Sequence, residues 1–191
     1  MSNSSNVAVD KPISQSGKGV LAQALWIAGF AAATALSARL EIPHDPVPFT
    51  LQTMVVLLAG AFLGARNGAV SQLLYLGAGI FGAPVFAGGA FGAARLVGPT
   101  GGYLIAFPLA AAAIGYLLRE RLSLVWTLTA MISGLVIIFA VGMAHLYAFY
   151  LHDVNRTFTS GFLLFTWWDL LKVGAAAMTY HEVGKKWPRL P

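Results

Sequence analysis

The sequence predicts an all-α integral membrane protein, a bundle of six transmembrane helices. Hydrophobic residues make up 58% of the 191 residues and charged residues only 10%, whereas a soluble domain carries roughly 25% charged residues. The apolar residues are gathered into separate segments, and the longer ones reach the roughly 20 apolar residues that a spanning helix needs. Lys and Arg concentrate between alternate segments, which is typical of cytoplasmic loops.

The predicted spans follow one another from residue 20 to residue 180. They cover residues 20–38, 51–65, 68–82, 101–118, 122–144 and 161–180. The second and third spans are short, because about 15 helical residues rise only about 22 Å, less than the roughly 30 Å of a hydrocarbon core. These two segments are therefore tilted, buried among longer helices, or folded as one re-entrant pair.

The positive charges predict the orientation. With the N-terminus in the cytoplasm, the inner segments hold eight Lys and Arg residues and the outer loops hold three, in agreement with the positive-inside rule. Both termini are then cytoplasmic, with a disordered tail over residues 1–19, a transmembrane substrate-binding domain over 20–180 and a basic tail over 181–191. Because these loops account for the net charge of +5, we predict the lipid bilayer, and no nucleic acid, as a partner.

The first outer loop leads into a cluster of polar residues. Three prolines between residues 43 and 48 stiffen the loop and fix the start of the second span. Thr50, Gln52 and Thr53 then place hydrogen-bonding groups in its first turn, near the outer face. We predict that Thr50 and Gln52 contact a ligand. For Thr50, helix capping is an alternative of equal weight, since threonine is a good cap.

A glycine-rich outer loop joins the third and fourth predicted helices. It is apolar rather than serine-rich, so it is unlike a flexible linker, and its glycines let the backbone approach a ligand closely. Aromatic residues and one cation interrupt it, which predicts a packed lid, while some of the glycines serve turn geometry and helix packing. The predicted ligand contacts of this region are Phe86, Gly88, Gly89, Arg95, Gly98, Thr100 and Tyr103.

The sixth predicted span contains two charges. Asp169 and Lys172 are three residues apart and therefore share one helix face. Each charge at the centre of a span costs about 2.5–3.5 kcal/mol on insertion scales, and nothing requires this cost for the integrity of the span alone. A structural ion pair, or a lysine that snorkels to the interface, is the alternative. Side by side, the two groups suit a neutral ring that carries both N–H donors and a carbonyl acceptor.

Two further patterns fall on the membrane helices. Gln72 and Tyr75 share a face of the third span, and a phenol in mid-span needs a polar partner, either a ligand or a neighbouring helix. Ala24, Ala28 and Ala32 form a stripe at a spacing of four in the first span. Small residues at this spacing let two helices approach closely in lipid, within this chain or with a partner subunit.

Catalytic and metal-binding patterns are missing from the sequence. It has no cysteine, its four histidines show no paired ligand spacing, and no serine has the sequence context of a catalytic triad. A membrane enzyme usually gathers more polar groups than the single pair at Asp169 and Lys172. We therefore predict no catalytic residue, no metal and no enzymatic activity.

Four motifs carry a family resemblance. The stretches PVPFTLQT, GAVSQLLYL, GAPVFAGG and GPTGGY occur in this order. Together they resemble the biotin-specific S components of energy-coupling factor (ECF) transporters, the BioY family, from about residue 20 to residue 180. Asp169 and Lys172 match the family's C-terminal pattern, in which Lys follows Asp by three residues. Trp168 departs from it, because glycine is common at that position.

The resemblance implies a subunit that captures biotin from the outer side and delivers it to the cytoplasm. It implies an ECF coupling transmembrane subunit and ATPase subunits as partners, so that ATP is hydrolysed by the partners and this chain needs no cofactor. Ala24, Ala28 and Ala32 match the motif that contacts the coupling subunit. The implied location is the plasma (inner) membrane of a prokaryote. The alternatives are an S component for another vitamin, a membrane-embedded enzyme and a structural membrane protein.

Biotin also suits the predicted residues chemically. Its ureido ring offers two N–H groups to Asp169 and one carbonyl to Lys172. Its valerate carboxylate needs a cation, for which Arg95 is the candidate, and the alternative orientation places that carboxylate on Lys172. The apolar and aromatic walls for the bicyclic ring are predicted to include Phe49, Tyr75 and Phe86.

Overall fold

The computed structural model describes residues 17–119, 123–163 and 166–184. In chain order the helices are α1 (Gly17–Ser37), α2 (Gln52–Ile80), α3 (Ala94–Val97), α4 (Gly101–Leu117), α5 (Leu124–Leu146), α6 (Val154–Phe158) and α7 (Thr166–Gly184). A 3₁₀ turn at Ala87–Gly89, π-helical turns at Tyr147–Leu151 and Thr159–Leu163, and the strands β1 (Glu41–Ile42) and β2 (Phe49–Thr50) complete the elements. Residues 1–16 of the predicted disordered tail and 185–191 of the predicted basic tail lie outside the described residues.

The described helices are those of a membrane protein. Four segments are long and apolar enough to cross a membrane, namely Gly19–Ser37, Gln52–Ile80, Leu124–Leu151 and Val154–Gly184, and α4 is a shorter apolar helix. Large apolar side chains are strongly exposed on their outer faces, among them Leu25, Val125 and Leu171. Water would penalise so many exposed apolar groups, so lipid is the solvent that this surface fits.

The α2 segment doubles back on itself at Gly64. Gly64 has φ 75° and ψ −179°, a backbone conformation that a glycine adopts without strain. The side chains of Gln52 and Tyr75 are hydrogen-bonded at 2.6 Å, although 23 intervening steps of straight helix would separate them by about 34 Å. The two arms of α2 are therefore antiparallel, and they correspond to the short predicted spans 51–65 and 68–82.

Glycines let the arms of α2 pack against α4 at close range. A Cβ atom added at Gly60 would lie 2.5 Å from the carbonyl oxygen of Ala111, and one at Gly115 would collide with the backbone of Gly64 and Ala65. The small residues thus bring the helix backbones together, as is common in lipid. The core between α2, α4, α5 and α7 contains Val56, Leu57, Phe107, Ile114, Met131, Ile138 and Val173.

Gln72 ties α1 to the second arm of α2. Its Nε2 donates to Thr34 Oγ1 at 3.3 Å and to Ser71 Oγ at 3.1 Å, and all three residues are completely buried. A buried polar network of this kind fixes how two helices pack. Gln72 therefore bonds a neighbouring helix, which is one of the two roles that its position predicts.

Some helix boundaries differ from the predicted ones. The described part of α7 runs from Thr166 to Gly184 and so extends past the predicted end at residue 180. Short helical turns and α6 occupy most of residues 147–163, where an outer loop and the start of the last span are predicted. A local cap explains part of the difference, because the Asp153 carboxylate accepts a hydrogen bond from the Arg156 backbone N–H at 2.8 Å and so starts α6.

Candidate functional site

The two charged residues of α7 form a buried ion pair. Lys172 Nζ lies 3.1 Å from Asp169 Oδ1, and the exposed fractions of the two residues are 9% and 2%. Asp169 is in the first turn of α7, where the helix dipole favours a negative charge. The structure thus brings the two groups together, as their spacing predicts.

Thr53, in the first arm of α2, joins the ion pair from across the bundle. Its hydroxyl donates to Asp169 Oδ1 at 2.8 Å and accepts from Lys172 Nζ at 3.2 Å. The ammonium also donates to the carbonyl oxygen of Thr50 at 2.6 Å. An ammonium has three N–H donors, so Thr50, Thr53 and Asp169 together occupy all three.

The ion pair lies in the wall of a cavity of about 60 Å³, which we call the central cavity. It is enclosed by the start of α2, the outer loop, α4, α5 and α7. Eight predicted site residues line it, namely Thr50, Gln52, Phe86, Arg95, Thr100, Tyr103, Asp169 and Lys172. Its walls are mostly apolar with a few polar groups, which is the usual character of a small-molecule site.

The hydrogen bonds of the Asp169 carboxylate to described residues all reach one of its two oxygens. The hydrogen bonds from Thr53 and Lys172 both reach Oδ1, and Oδ2 accepts none from the residues that the structure describes. Asp169 therefore offers one strong, fixed acceptor at the central cavity.

Gln52 and Tyr75 form a second polar link behind the cavity wall. Gln52 Nε2 donates to the Tyr75 hydroxyl at 2.6 Å, and the Thr50 hydroxyl donates to Gln52 Oε1 at 3.1 Å. The Tyr75 ring also packs edge-on against Phe86, with ring centroids 5.6 Å apart. Tyr75 is completely buried and does not line the cavity. Tyr75 therefore supports Gln52 and Phe86, which line the cavity, and does not line the cavity itself.

Four other predicted residues also lie away from the central cavity. Phe49 lines a side cavity of about 380 Å³, which includes Trp168 and shares Thr50 and Lys172 with the central cavity. Gly88 lines a third cavity of about 230 Å³, which we call the outer chamber. A Cβ at Gly89 would touch the Arg39 guanidinium, and one at Gly98 would touch the Arg95 carbonyl, so these two glycines serve packing of the loop.

Two arginines hold the outer loop, residues 82–100, over the cavity. Arg39 Nη2 donates to the Pro84 carbonyl at 2.7 Å, and Arg95 Nη2 donates to the Ala87 carbonyl at 3.3 Å. Gly88 and Gly89 have φ of 69° and 70°, a left-handed conformation that favours glycine. The loop is therefore shaped mainly by backbone conformation and a few hydrogen bonds.

Sequence analysis missed part of the cavity wall. Thr53 was placed near the outer face but not predicted as a site residue. The other missed residues are apolar and include Leu104 and Phe107 on α4 and Ile138 and Phe139 on α5. In a single sequence, apolar residues at helical spacing look alike whether they pack in a core or line a cavity. The one signal was the spacing of four between Tyr103 and Phe107, which places both on the same face of α4.

A model of the BioY family matches residues 6–189 of this chain. The chain belongs to the BioY family. Among relatives, the "Biotin transporter BioY" of Thermotoga maritima is 43% identical over 149 residues, which are 78% of this chain and 88% of the relative. The "Probable biotin transporter BioY" of Pyrococcus horikoshii is 39% identical over 152 residues, 80% of this chain and 90% of the relative. The family resemblance inferred from the motifs is confirmed.

The fold of this BioY chain is also that of a solved structure. It superposes with a TM-score of 0.83 on a chain described as the S-component for biotin from an ECF-type ABC transporter. The match covers 89% of this chain and 94% of the other, at 26% identity. BioY membership and this fold make the chain a transporter component rather than an enzyme, as predicted.

Proposed function

We propose that this chain captures biotin at the outer face of the membrane and delivers it to the cytoplasm as the substrate-binding subunit of an ATP-driven ECF transporter. The observation that carries this proposal is the open Oδ2 of Asp169 at the central cavity, beside an ammonium whose three donors are occupied. Family membership and the names of the relatives support biotin as the substrate.

The ureido ring of biotin binds at the ion pair. One ureido N–H donates to Asp169 Oδ2, a charge-assisted hydrogen bond worth about 1.5–3 kcal/mol. Lys172 keeps the carboxylate ionised and oriented through Oδ1. It also donates to the ureido carbonyl if that oxygen displaces Thr53, whose 3.2 Å contact is the longest of the three that the ammonium makes.

The valerate carboxylate of biotin extends toward Arg95. Arg95 lines the central cavity and has one hydrogen bond among the described residues, to Ala87, so most of its five donors are available to a carboxylate. The reverse orientation would bring the carboxylate beside Asp169, where like charges repel, and would require Lys172 to surrender existing partners. The geometry favours the ring at Asp169 and the tail at Arg95.

The outer loop opens to admit the ligand. The central cavity of about 60 Å³ is smaller than the roughly 300 Å³ at the lower end of ligand pockets. Among the described residues, one side-chain hydrogen bond reaches the outer loop from outside it, from Arg39 to Pro84, and the bond of Arg95 to Ala87 lies within the loop. Displacement of this loop enlarges the cavity outward while the α2–α7 contacts stay in place.

The reversal of α2 supports a topology with six membrane crossings. If each arm of α2 crosses the bilayer, then α1, the two arms, α4, α5 and α7 make six crossings and both termini are cytoplasmic. The distribution of Lys and Arg supports this orientation. It places the central cavity toward the outer side of the plasma membrane of a prokaryote.

The first helix carries the docking surface for the coupling subunit. Ala24, Ala28 and Ala32 are all exposed and lie at a spacing of four on α1, the arrangement that lets a partner helix approach closely. Only 11% of the spanning window of α1 is buried within the chain. A helix with so little internal packing has room for the ECF coupling transmembrane subunit, and the ATPase subunits then act through that partner.

The test is equilibrium binding of labelled biotin to the purified, detergent-solubilised chain, with thiamine and riboflavin as competitors. We expect tight binding that unlabelled biotin abolishes and the other vitamins do not. The double variant Asp169→Asn/Lys172→Met removes both charges together and should fold without binding biotin. Failure of the folded wild-type chain to bind biotin, or displacement by another vitamin, overturns the proposal.

Retained biotin binding in the double variant would instead make the ion pair structural and move the site elsewhere.

A further inference from the structure

The central cavity does not end at Arg95. Arg95 also lines the outer chamber, together with Pro48 and Ala87, which border both spaces. These three residues are therefore the partition between the central cavity and a larger space of about 230 Å³. A ligand whose tail reaches Arg95 has room to continue past it.

The outer chamber is rich in carboxylates. Its ionic side chains are Glu41 and Asp45, against the single guanidinium of Arg95. Glu41 is half-buried and Asp45 is exposed, and among the described residues neither forms an ion pair. Arg39 lines the side cavity, which Glu41 also borders, and donates to the Pro84 carbonyl. The charges of the side chains that line the outer chamber therefore sum to −1, which favours a cation over an anion.

We propose that the outer chamber is a subsite for the tail of biotin amides and that it favours an amide with an ammonium tip over one with a carboxylate tip. The inference rests on the proposed function, since it takes the ring at Asp169 and the tail at Arg95. An amide carbonyl remains an acceptor for Arg95, so the loss of the free carboxylate weakens binding without abolishing it. Biotin joined to the side-chain amine of lysine belongs to this ligand class.

Three biotin amides of similar length test the proposal by competition with labelled biotin. They are the N-(2-aminoethyl) amide, the glycine amide and the neutral N-ethyl amide. The measurement is made at one fixed pH for all three amides. Because one carboxylate is exposed, we expect a modest preference, about threefold to tenfold, for the ammonium tip over the carboxylate tip.

The variant Glu41→Gln/Asp45→Asn should bring this ratio close to one. Glu182→Gln, near the far end of α7, is the matched control and should leave the ratio as in the wild type. The preference should also shrink as salt rises from about 0.01 M to about 1 M, since the screening length falls from about 30 Å to about 3 Å. This salt series is done on the wild-type chain and needs no folded variant.

Three results would overturn the subsite. They are failure of all three amides to displace biotin, equal affinity for the two charged amides at low salt, and a preference that survives the loss of both carboxylates. Each leaves the proposed function standing, because labelled biotin itself still binds. Absence of biotin binding in the wild type removes the proposed function and this inference together.

Discussion

The two ends of the central cavity are built differently. At the Asp169 end, four hydrogen bonds of 2.6 to 3.2 Å link Thr50, Thr53, Asp169 and Lys172, and three of them join α7 to the end of β2 or the start of α2. At the Arg95 end, the outer loop has one long bond from Arg95 and one from Arg39, with glycines in left-handed conformations.

This contrast assigns different tasks to the two ends. Groups that are already fixed by their neighbours bind a ligand without a further loss of conformational entropy, so the Asp169 end should supply most of the affinity and the recognition of the ring. A loop that is held by few hydrogen bonds opens at a low cost in free energy. The Arg95 end should therefore control the access of the ligand and its rate of release. Substitutions at the two ends should therefore change different quantities.

The largest effect is expected from Asp169→Asn. The amide oxygen is a weaker acceptor, and the buried Lys172 ammonium loses its counter-charge. Removal of one partner of a buried pair costs about 3–5 kcal/mol. We expect biotin affinity to fall by at least about a hundredfold, measured by equilibrium binding, and the thermal unfolding temperature to fall as well.

The paired variant Asp169→Asn/Lys172→Met separates the two losses. It leaves no buried charge, so we expect stability to recover toward that of the wild type while biotin binding stays lost. If binding recovers together with stability, the carboxylate is a structural group and not the acceptor of the ureido ring.

Thr53→Val should give the next largest effect. Valine keeps the shape of threonine but removes the hydroxyl that bridges Asp169 Oδ1 and Lys172 Nζ. The bond from Thr53 to Asp169 Oδ1 holds the carboxylate in place for a ligand, and a bond to a charged group is worth about 1.5–3 kcal/mol, so biotin affinity should fall by about tenfold. Thr53→Ser restores the hydroxyl and should restore most of the affinity. Equal binding by the valine and serine variants would show that the bridge has no part in recognition.

Arg95→Gln should have a smaller effect that depends on the ligand. We expect about a tenfold loss of affinity for biotin, through a charge-assisted bond to its carboxylate. The neutral N-ethyl amide of biotin should lose clearly less, because it has no carboxylate for Arg95 to bind. The measurement is competition binding of both ligands to both proteins. Equal losses for the two ligands would place the carboxylate somewhere other than Arg95.

The Asp169 end was the easier of the two to predict from the sequence. Charges are rare in apolar spans, so Asp169 and Lys172 stand out, and their spacing of three fixes a shared face. Thr53 was harder, because its partners lie 116 and 119 residues away in the chain. No local pattern indicates that α2 and α7 meet at this point.

The conformation of the outer loop at the Arg95 end could not be predicted from the sequence. Glycines in the outer loop predicted a lid, but not which of them would adopt left-handed conformations or pack on Arg39 and Arg95. Phe49 lines the side cavity rather than the central one, and its contact with a ligand stays a prediction. Helix positions followed from hydropathy, whereas boundaries near Gly161 depended on the cap at Asp153 and were missed.

The smallest effect is expected from Gly88→Ala, which tests the outer loop without touching the ion pair. A Cβ at Gly88 meets no atom closer than 3.7 Å, so the cost comes from its φ of 69°, about 1 kcal/mol for a residue with a side chain. This strain destabilises the closed loop, so labelled biotin should dissociate about threefold to fivefold faster after a chase. Gly77→Ala, at an ordinary helical position with open space, is the control and should leave the rate unchanged. An unchanged rate in Gly88→Ala would mean that another element limits release.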